Sequence, residues 1–277
     1  MLAALLALLA LVAAGCDGDE EAVPPPDTAG PVDTTPQPTP ETSTFAVYLL
    51  RDGEIAPVRR TVASTPAVAR AALEALMTGP TGDEEADGLV TAIPEGTTLL
   101  DVSIADDVAT VDLSGTFDDG GGSASMLGRV AQVVATLTQF PTIERVAFRL
   151  DGEPVETIGG EGVVVDPPIG RTAIEEQTPQ ILIESPLPGD TVTSPVRVRG
   201  TANVFEATVS FEVRDATGTV VHEGFTTATS GTGTRGTFDT TLPLPDLEGT
   251  MTIVAFEASA EDGRPLHVVD VQVMLAP

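Results

Sequence analysis

Phe45-Ala46-Val47-Tyr48-Leu49-Leu50 is a run of β-branched, aromatic and aliphatic residues, closed by the turn Arg51-Asp52-Gly53-Glu54 and answered by a second extended run, Val58 to Val62. The pair reads as a hairpin. The hydrophobic period then changes: Thr65-Pro66 supplies an N-cap and a proline at the first helical position, and Val68, Ala69, Ala72, Leu73 and Leu76 recur at helical spacing until Gly79-Pro80. Leu99 to Ile104 and Val108 to Leu113 form a second hairpin around Ala105-Asp106-Asp107. A second helix is capped by Ser123 or Ser125, carries Leu127, Val130, Ala131, Val134 and Leu137, and is closed by Pro141. An alternating strand, Ile143 to Leu150, turns at Asp151-Gly152 into Val155 to Ile158. The order β-β-α-β-β-α-β-β describes an α+β domain over 45–166, an antiparallel sheet with two helices on one face.

Beyond an acidic linker at 167–178 the chain becomes short alternating runs separated by turn residues, an all-β signature. Strands are expected at Gln180 to Glu184, Val196 to Gly200, Thr208 to Arg214, Val220 to Thr227, Gly236 to Leu242, Met251 to Ser259 and His267 to Leu275. Seven strands over 179–277 predict an immunoglobulin-like sandwich. It has neither tryptophan nor a cysteine pair at its centre, so Phe211, Phe238 and Phe256 are expected to fill the core with aliphatic residues.

Residues 1–15 are apolar and end in Ala13-Ala14-Gly15 before Cys16, the chain's single cysteine. The apolar stretch is about half the roughly 20 residues a helix needs to cross a bilayer, and the small residues at its end suit a signal-cleavage site. Ala13-Ala14-Gly15-Cys16 resembles the bacterial lipobox, with Ala13 at a position where leucine is commonest. The resemblance implies cleavage between Gly15 and Cys16 and acylation of Cys16. The lack of a basic residue before Cys16 implies a true start further upstream. An ordinary secretory signal followed by a free thiol is the alternative. Residues 16–44 are acidic, then rich in Pro and Thr with few large apolar residues, which predicts an extended tether at about 3 Å per residue.

The formal net charge is −29 and every basic residue is arginine. That charge argues against nucleic acid, anionic lipid and other polyanions unless a metal ion bridges them. No cofactor or metal is expected. His222 and His267, the two histidines, are read as half-exposed strand residues in place of a metal pair. No nucleophile elbow of the Gly-x-Ser-x-Gly kind occurs. The loop Thr116 to Ser123 leads into a helix, but it has no lysine for phosphate. Its Asp118 and Asp119 match no EF-hand spacing, leaving a flexible connection, a cation site or a binding loop as readings. Val204-Phe205-Glu206 and Ser230 to Thr234 sit where sandwich loops often bind, so Phe205 and Glu206 join Asp118 and Asp119 as candidate contact residues. The acidic stretch Asp83 to Asp87 is a solvated loop or a docking surface for a basic partner.

Leu76-Met77-Thr78-Gly79-Pro80, Val108-Ala109-Thr110-Val111-Asp112-Leu113-Ser114 and Phe140-Pro141 resemble the GerMN domain of sporulation and germination lipoproteins. Ser185-Pro186-Leu187-Pro188-Gly189, Gly200 to Glu206, Thr226-Thr227-Ala228 and Phe256 to Gly263 resemble Gmad2, the immunoglobulin-like domain that accompanies it. Both resemblances imply an extracytoplasmic envelope role and supply no catalytic residues. The expected function is therefore a non-enzymatic, lipid-anchored binding or scaffolding module. Its partners would be the membrane, through Cys16, and an envelope protein or cell-wall polymer. Two other readings are a cell-wall hydrolase using Asp112, Asp118 or Asp119, and an accessory lipoprotein modulating a membrane sensor kinase.

Overall fold

The computed structural model describes residues 41–160, 162–244 and 248–276; the signal segment, Cys16 and most of the tether lie outside the described residues. Strand β1 (Thr42–Arg51) pairs with β2 (Glu54–Ala63) from Thr42↔Ala63 to Arg51↔Glu54. Asp52 and Gly53 both take positive φ in the connecting turn, the conformation a tight hairpin of this hand requires. Helix α1 (Val68–Met77) starts later than Thr65-Pro66 suggests, because the Thr65 hydroxyl accepts the Ala67 N–H before the helix begins. It buries Ala69, Ala72, Leu73 and Leu76. A short helix that the hydrophobic pattern does not announce, α2 (Gly82–Ala86), is closed by a capping box between Thr81 and Glu84.

Strands β3 (Leu99–Ala105) and β4 (Val108–Leu113) turn at Asp106-Asp107, both at positive φ. A 3-10 turn, Gly115–Asp118, leads into α3 (Ser123–Leu137) and then β5 (Arg145–Leu150). The short strands β6 (Glu153–Pro154), β7 (Thr157–Ile158) and β8 (Val163–Val164) complete this mixed α/β domain.

The single antiparallel sheet expected from the sequence is three sheets, the smallest being the β7-β8 pair. β3-β4-β5-β6 forms one, with β4 and β5 parallel because α3 carries the chain back across. β1 and β2 stand apart as a two-stranded sheet. The reason lies in α3, which is buried on nearly every side from Met126 to Leu137, so its contacts are wider than one stripe. Its polar residues finish the free edge of β1 in place of a third strand. The Ala46 N–H donates to Gln139 Oε1 (2.9 Å) and Gln139 Nε2 donates to the Ala46 carbonyl (2.7 Å). Likewise the Tyr48 N–H donates to Thr136 Oγ1 (3.1 Å) and Gln132 Nε2 to the Tyr48 carbonyl (3.1 Å). Leu50 continues the series with backbone bonds to Val90 in both directions. Gly128 lets the helix approach closely, since a Cβ there would crowd Leu50 Cδ1 at 2.9 Å.

The second domain is β-rich. Its strands are β9 (Ile181–Ser185), β10 (Thr191–Val192), β11 (Val196–Ala202), β12 (Thr208–Arg214), β13 (Val220–Thr227), β14 (Gly236–Leu242), β15 (Gly249–Ala258) and β16 (Pro265–Leu275). They form a five-stranded sheet, β10-β16-β15-β12-β13, and a three-stranded sheet, β14-β11-β9, which wrap part-way around a shared core. Phe211 and Phe238 meet edge to face across that core, 5.9 Å between centroids. Phe256 does not join them: a bulge between Ala255 and Glu257 puts it on the outer face beside Ser210, half-buried.

Replacing Thr136 by valine keeps the shape of the side chain and orphans the buried Tyr48 N–H. We expect a loss of about 1–3 kcal/mol in denaturant unfolding, with an unchanged dependence on denaturant concentration.

Candidate functional site: a cleft between the two domains

Strand β9 serves two cores at once. Ile181 and Ile183 point into the second domain's core, while Leu182, together with Leu187 of the following turn, packs into the core of the first. The ladder between β9 and β11 skips a residue: Ser185 faces Arg199 and Ile183 faces Gly200, leaving Glu184 as the bulged position. Gly200 is required here, because any Cβ would strike the Leu182 carbonyl oxygen and the Phe238 ring.

Glu184 meets Tyr48 of β1 and Arg171 of the connecting 3-10 turn (Arg171–Gln177). Arg171 Nη1 lies 2.8 Å from Glu184 Oε1, the Tyr48 hydroxyl donates to the same oxygen (3.1 Å), and the guanidinium carbon sits 5.2 Å from the Tyr48 ring centroid. Arg171 Nε also donates to Thr138 Oγ1 at the end of α3 (2.7 Å). The far end of the connector is fastened to the second domain. Glu175 accepts from Arg235 Nε (2.8 Å) and Asn203 Nδ2 (2.9 Å), and Arg235 Nη2 donates to the Pro179 carbonyl (2.9 Å). Burial alone would raise the Glu175 pKa, but the bonds from Arg235 and Asn203 hold it below the usual carboxylate range. Both domains belong to one compact unit.

The space left between them is an open cleft of about 1280 Å³. Its walls are β1 and the end of α3 on one side and the outer face of β14-β11-β9 on the other, and threonines, among them Thr44, Thr201, Thr234 and Thr237, dominate the lining. Its carboxylates are Glu175, Glu184, Asp190 and Asp239, and each holds an arginine: Arg235, Arg171, Arg59 and Arg197. Arg199 is the cleft's remaining cation. A second cavity of about 530 Å³ lies between β2 and β16 and includes His267 in its wall.

The residues singled out in the sequence do not converge on this cleft. Asp118 is half-buried and accepts the Gly159 N–H; Asp119 is exposed. Arg129, almost fully buried, fills the inside of their loop with bonds to the Phe117 and Gly120 carbonyls, both 2.7 Å. Asp112 accepts the Gly152 N–H (3.0 Å), so Asp112 and Asp118 each tie down a different loop. Phe205 and Glu206 are exposed in the β11–β12 connection, and the Phe205 N–H donates to Glu257 Oε1 (3.2 Å). His222 lies on β13 and His267 on β16, the latter 3.7 Å from Glu257. Among the described residues no group of three or more His, Cys, Asp or Glu side chains could hold a metal ion. Gly15 and Cys16 lie outside the described residues.

Residues 46–156 match the family described as Germane, sporulation and spore germination, and residues 180–264 match Gmad2, the immunoglobulin-like domain of bacterial spore germination. Between them the matches span well over half of the chain. It is a two-module protein of the sporulation and germination class, a GerMN-type module followed by a Gmad2-type module. Among solved structures, the tandem GerMN domains of the sporulation protein GerM from Bacillus subtilis share 18% identity, over 73% of this chain and 62% of that one, with a TM-score of 0.43. The chain thus spans less than two thirds of that structure's length. The first GerMN domain of the same protein shows 25% identity over 47% of this chain and 98% of that one (TM-score 0.39). A putative lipoprotein from Clostridium perfringens shows 23% over 47% and 89% (TM-score 0.36). No curated relative matches the chain.

Tyr48 is the chain's one tyrosine and there is no tryptophan, so its ionisation reports the junction alone. Burial, and next the Glu184 charge, push its pKa well above the ordinary value of 10.0. A phenol ionising at higher pH folded than unfolded stabilises the protein below the unfolded value, and that stability is lost as pH rises past about 10. We expect no phenolate absorbance through the usual tyrosine range while the chain stays folded, and an onset at lower pH in Glu184→Gln. An ordinary titration in the wild-type protein would contradict this geometry.

Proposed function

We propose that the protein is a lipid-anchored, extracytoplasmic binding module, acylated on Cys16 after cleavage between Gly15 and Cys16. It stands away from the membrane on the tether 16–44 and acts in sporulation- or germination-linked envelope processes. Its working part is the pair of domains 45–166 and 179–277, the second an immunoglobulin-like sandwich, with 167–178 as the fastened connector. Its task is to hold an envelope component, protein or wall polymer, in the cleft between them. The observation that carries this reading is the junction itself: Tyr48, Arg171 and Glu184 spend their polar groups on holding two domains in one relation, and the cleft left open is lined by threonine hydroxyls and carboxylates that are each paired with an arginine. Two acyl chains give stable membrane attachment where one is marginal, which suits a module that must stay at the membrane. The exposed loops at Asp119 and at Phe205-Glu206 serve as accessory contacts.

Fatty-acid labelling of the protein in intact cells should appear with Cys16 and vanish in Cys16→Ser, releasing the chain from the membrane fraction. Proximity labelling from the anchored protein should recover a reproducible envelope component. Label persisting in Cys16→Ser would remove the anchor, and no specific recovery would remove the binding role.

A further inference from the structure

Arg199 lies on the outer face of β11, directly opposite Asp239 of β14. Asp239 turns both its oxygens to Arg197, with Arg197 Nε at 2.7 Å from Oδ1, and feels Arg199 only through its field. Arg199 is exposed and its side chain makes no hydrogen bond or ion pair among the described residues. Each of the four cleft carboxylates is paired with an arginine, Arg59 and Arg197 reaching in from outside the lining, so Arg199 is the one arginine of the wall whose side chain is not already engaged. A guanidinium fork matches a carboxylate bidentately.

We infer that Arg199 anchors a subsite for a glycan strand that carries isolated carboxylates on an otherwise uncharged, hydroxyl- and amide-rich backbone. This names the ligand class for the proposed binding role and rests on it. Threonine hydroxyls both donate and accept, so the lining around Arg199 suits sugar hydroxyls and amides. An extended peptide added as a strand is the competing occupant, and part of the strand edge it would need is already taken. The free edge of β1 is closed by Gln139, Thr136 and Gln132. At the start of β14 the Thr237 N–H and carbonyl are taken by Thr229. A densely charged polymer is also disfavoured, because the one unengaged arginine answers one anion and the cleft's own carboxylates would meet the rest.

The test measures binding of soluble peptidoglycan glycan fragments freed of their stem peptides, native and with their carboxylates amidated, to the chain from residue 16 carrying Cys16→Ser. The expected result is that native fragments bind, and that amidation and Arg199→Ala each weaken binding about tenfold or more. Arg199→Ala should then be indifferent to amidation, Arg199→Lys should recover binding only in part, and Arg264→Ala should match wild type. Unfolding midpoints equal to wild type certify the variants. Equal binding of native and amidated fragments, full binding by Arg199→Ala, or equally tight binding of an acidic peptide would each overturn the inference. Failure to bind any fragment would overturn it too. If the anchored protein still recovered an envelope protein in cells, the wider reading would stand without it.

Discussion

The contact among Tyr48, Arg171 and Glu184 joins three parts of the chain that are far apart in sequence: the first strand, the connector and the first strand of the second domain. Its energy is not what holds the domains together. Bringing charges out of water costs several kcal/mol per ion, and a buried pair often only breaks even against apolar residues of the same shape. The gain comes beside it, from Leu182 and Leu187, which the second domain inserts into the first domain's core at about 1.5–3 kcal/mol for each fully buried side chain. What the polar contact adds is uniqueness. A rotation of one domain on the other would strand a buried phenol together with a half-buried carboxylate and guanidinium, whereas leucines tolerate sliding.

That division of labour explains which features were legible in the sequence. Strands β12, β13 and β14 could be read to the residue because period-2 alternation sits between clear turn residues. The acidic turn at Asp106-Asp107 was equally plain. Alternation failed at Phe256, where the bulge reverses which face a residue meets, and no propensity marks a bulge in advance. Gln132 and Thr136 were invisible for another reason: polar residues on a helix suggest a solvated face, and here they complete a strand edge inside the core. The separation of the β1–β2 hairpin from the larger sheet follows from those two side chains, so it was hidden with them.

The candidate site was harder to read than the fold. Asp118, Asp119, Phe205 and Glu206 sit in loops between regular elements, the places where binding residues often lie, whereas the cleft is built from strand faces and a connector. Its signal was present as Arg197-Val198-Arg199 opposite Thr237-Phe238-Asp239-Thr240-Thr241, polar residues alternating with core residues, a pattern shared by any half-exposed strand pair. Only the pairing of charges in three dimensions separates Arg197, which is spent on Asp239, from Arg199, which is free. Net charge misleads at this scale. Beyond a screening length of about 8 Å at physiological salt the acidic bulk contributes little to what a bound group meets in the cleft.

The central claim is that the two domains move as one body. Spin labels at Glu85→Cys on α2 and Glu261→Cys beyond β15, both exposed and placed in the Cys16→Ser chain, would measure it by dipolar distance. A single narrow distance distribution is predicted, unchanged by salt. A broad or two-peaked distribution would contradict the account, because the cleft and its unengaged arginine would then be one arrangement among many.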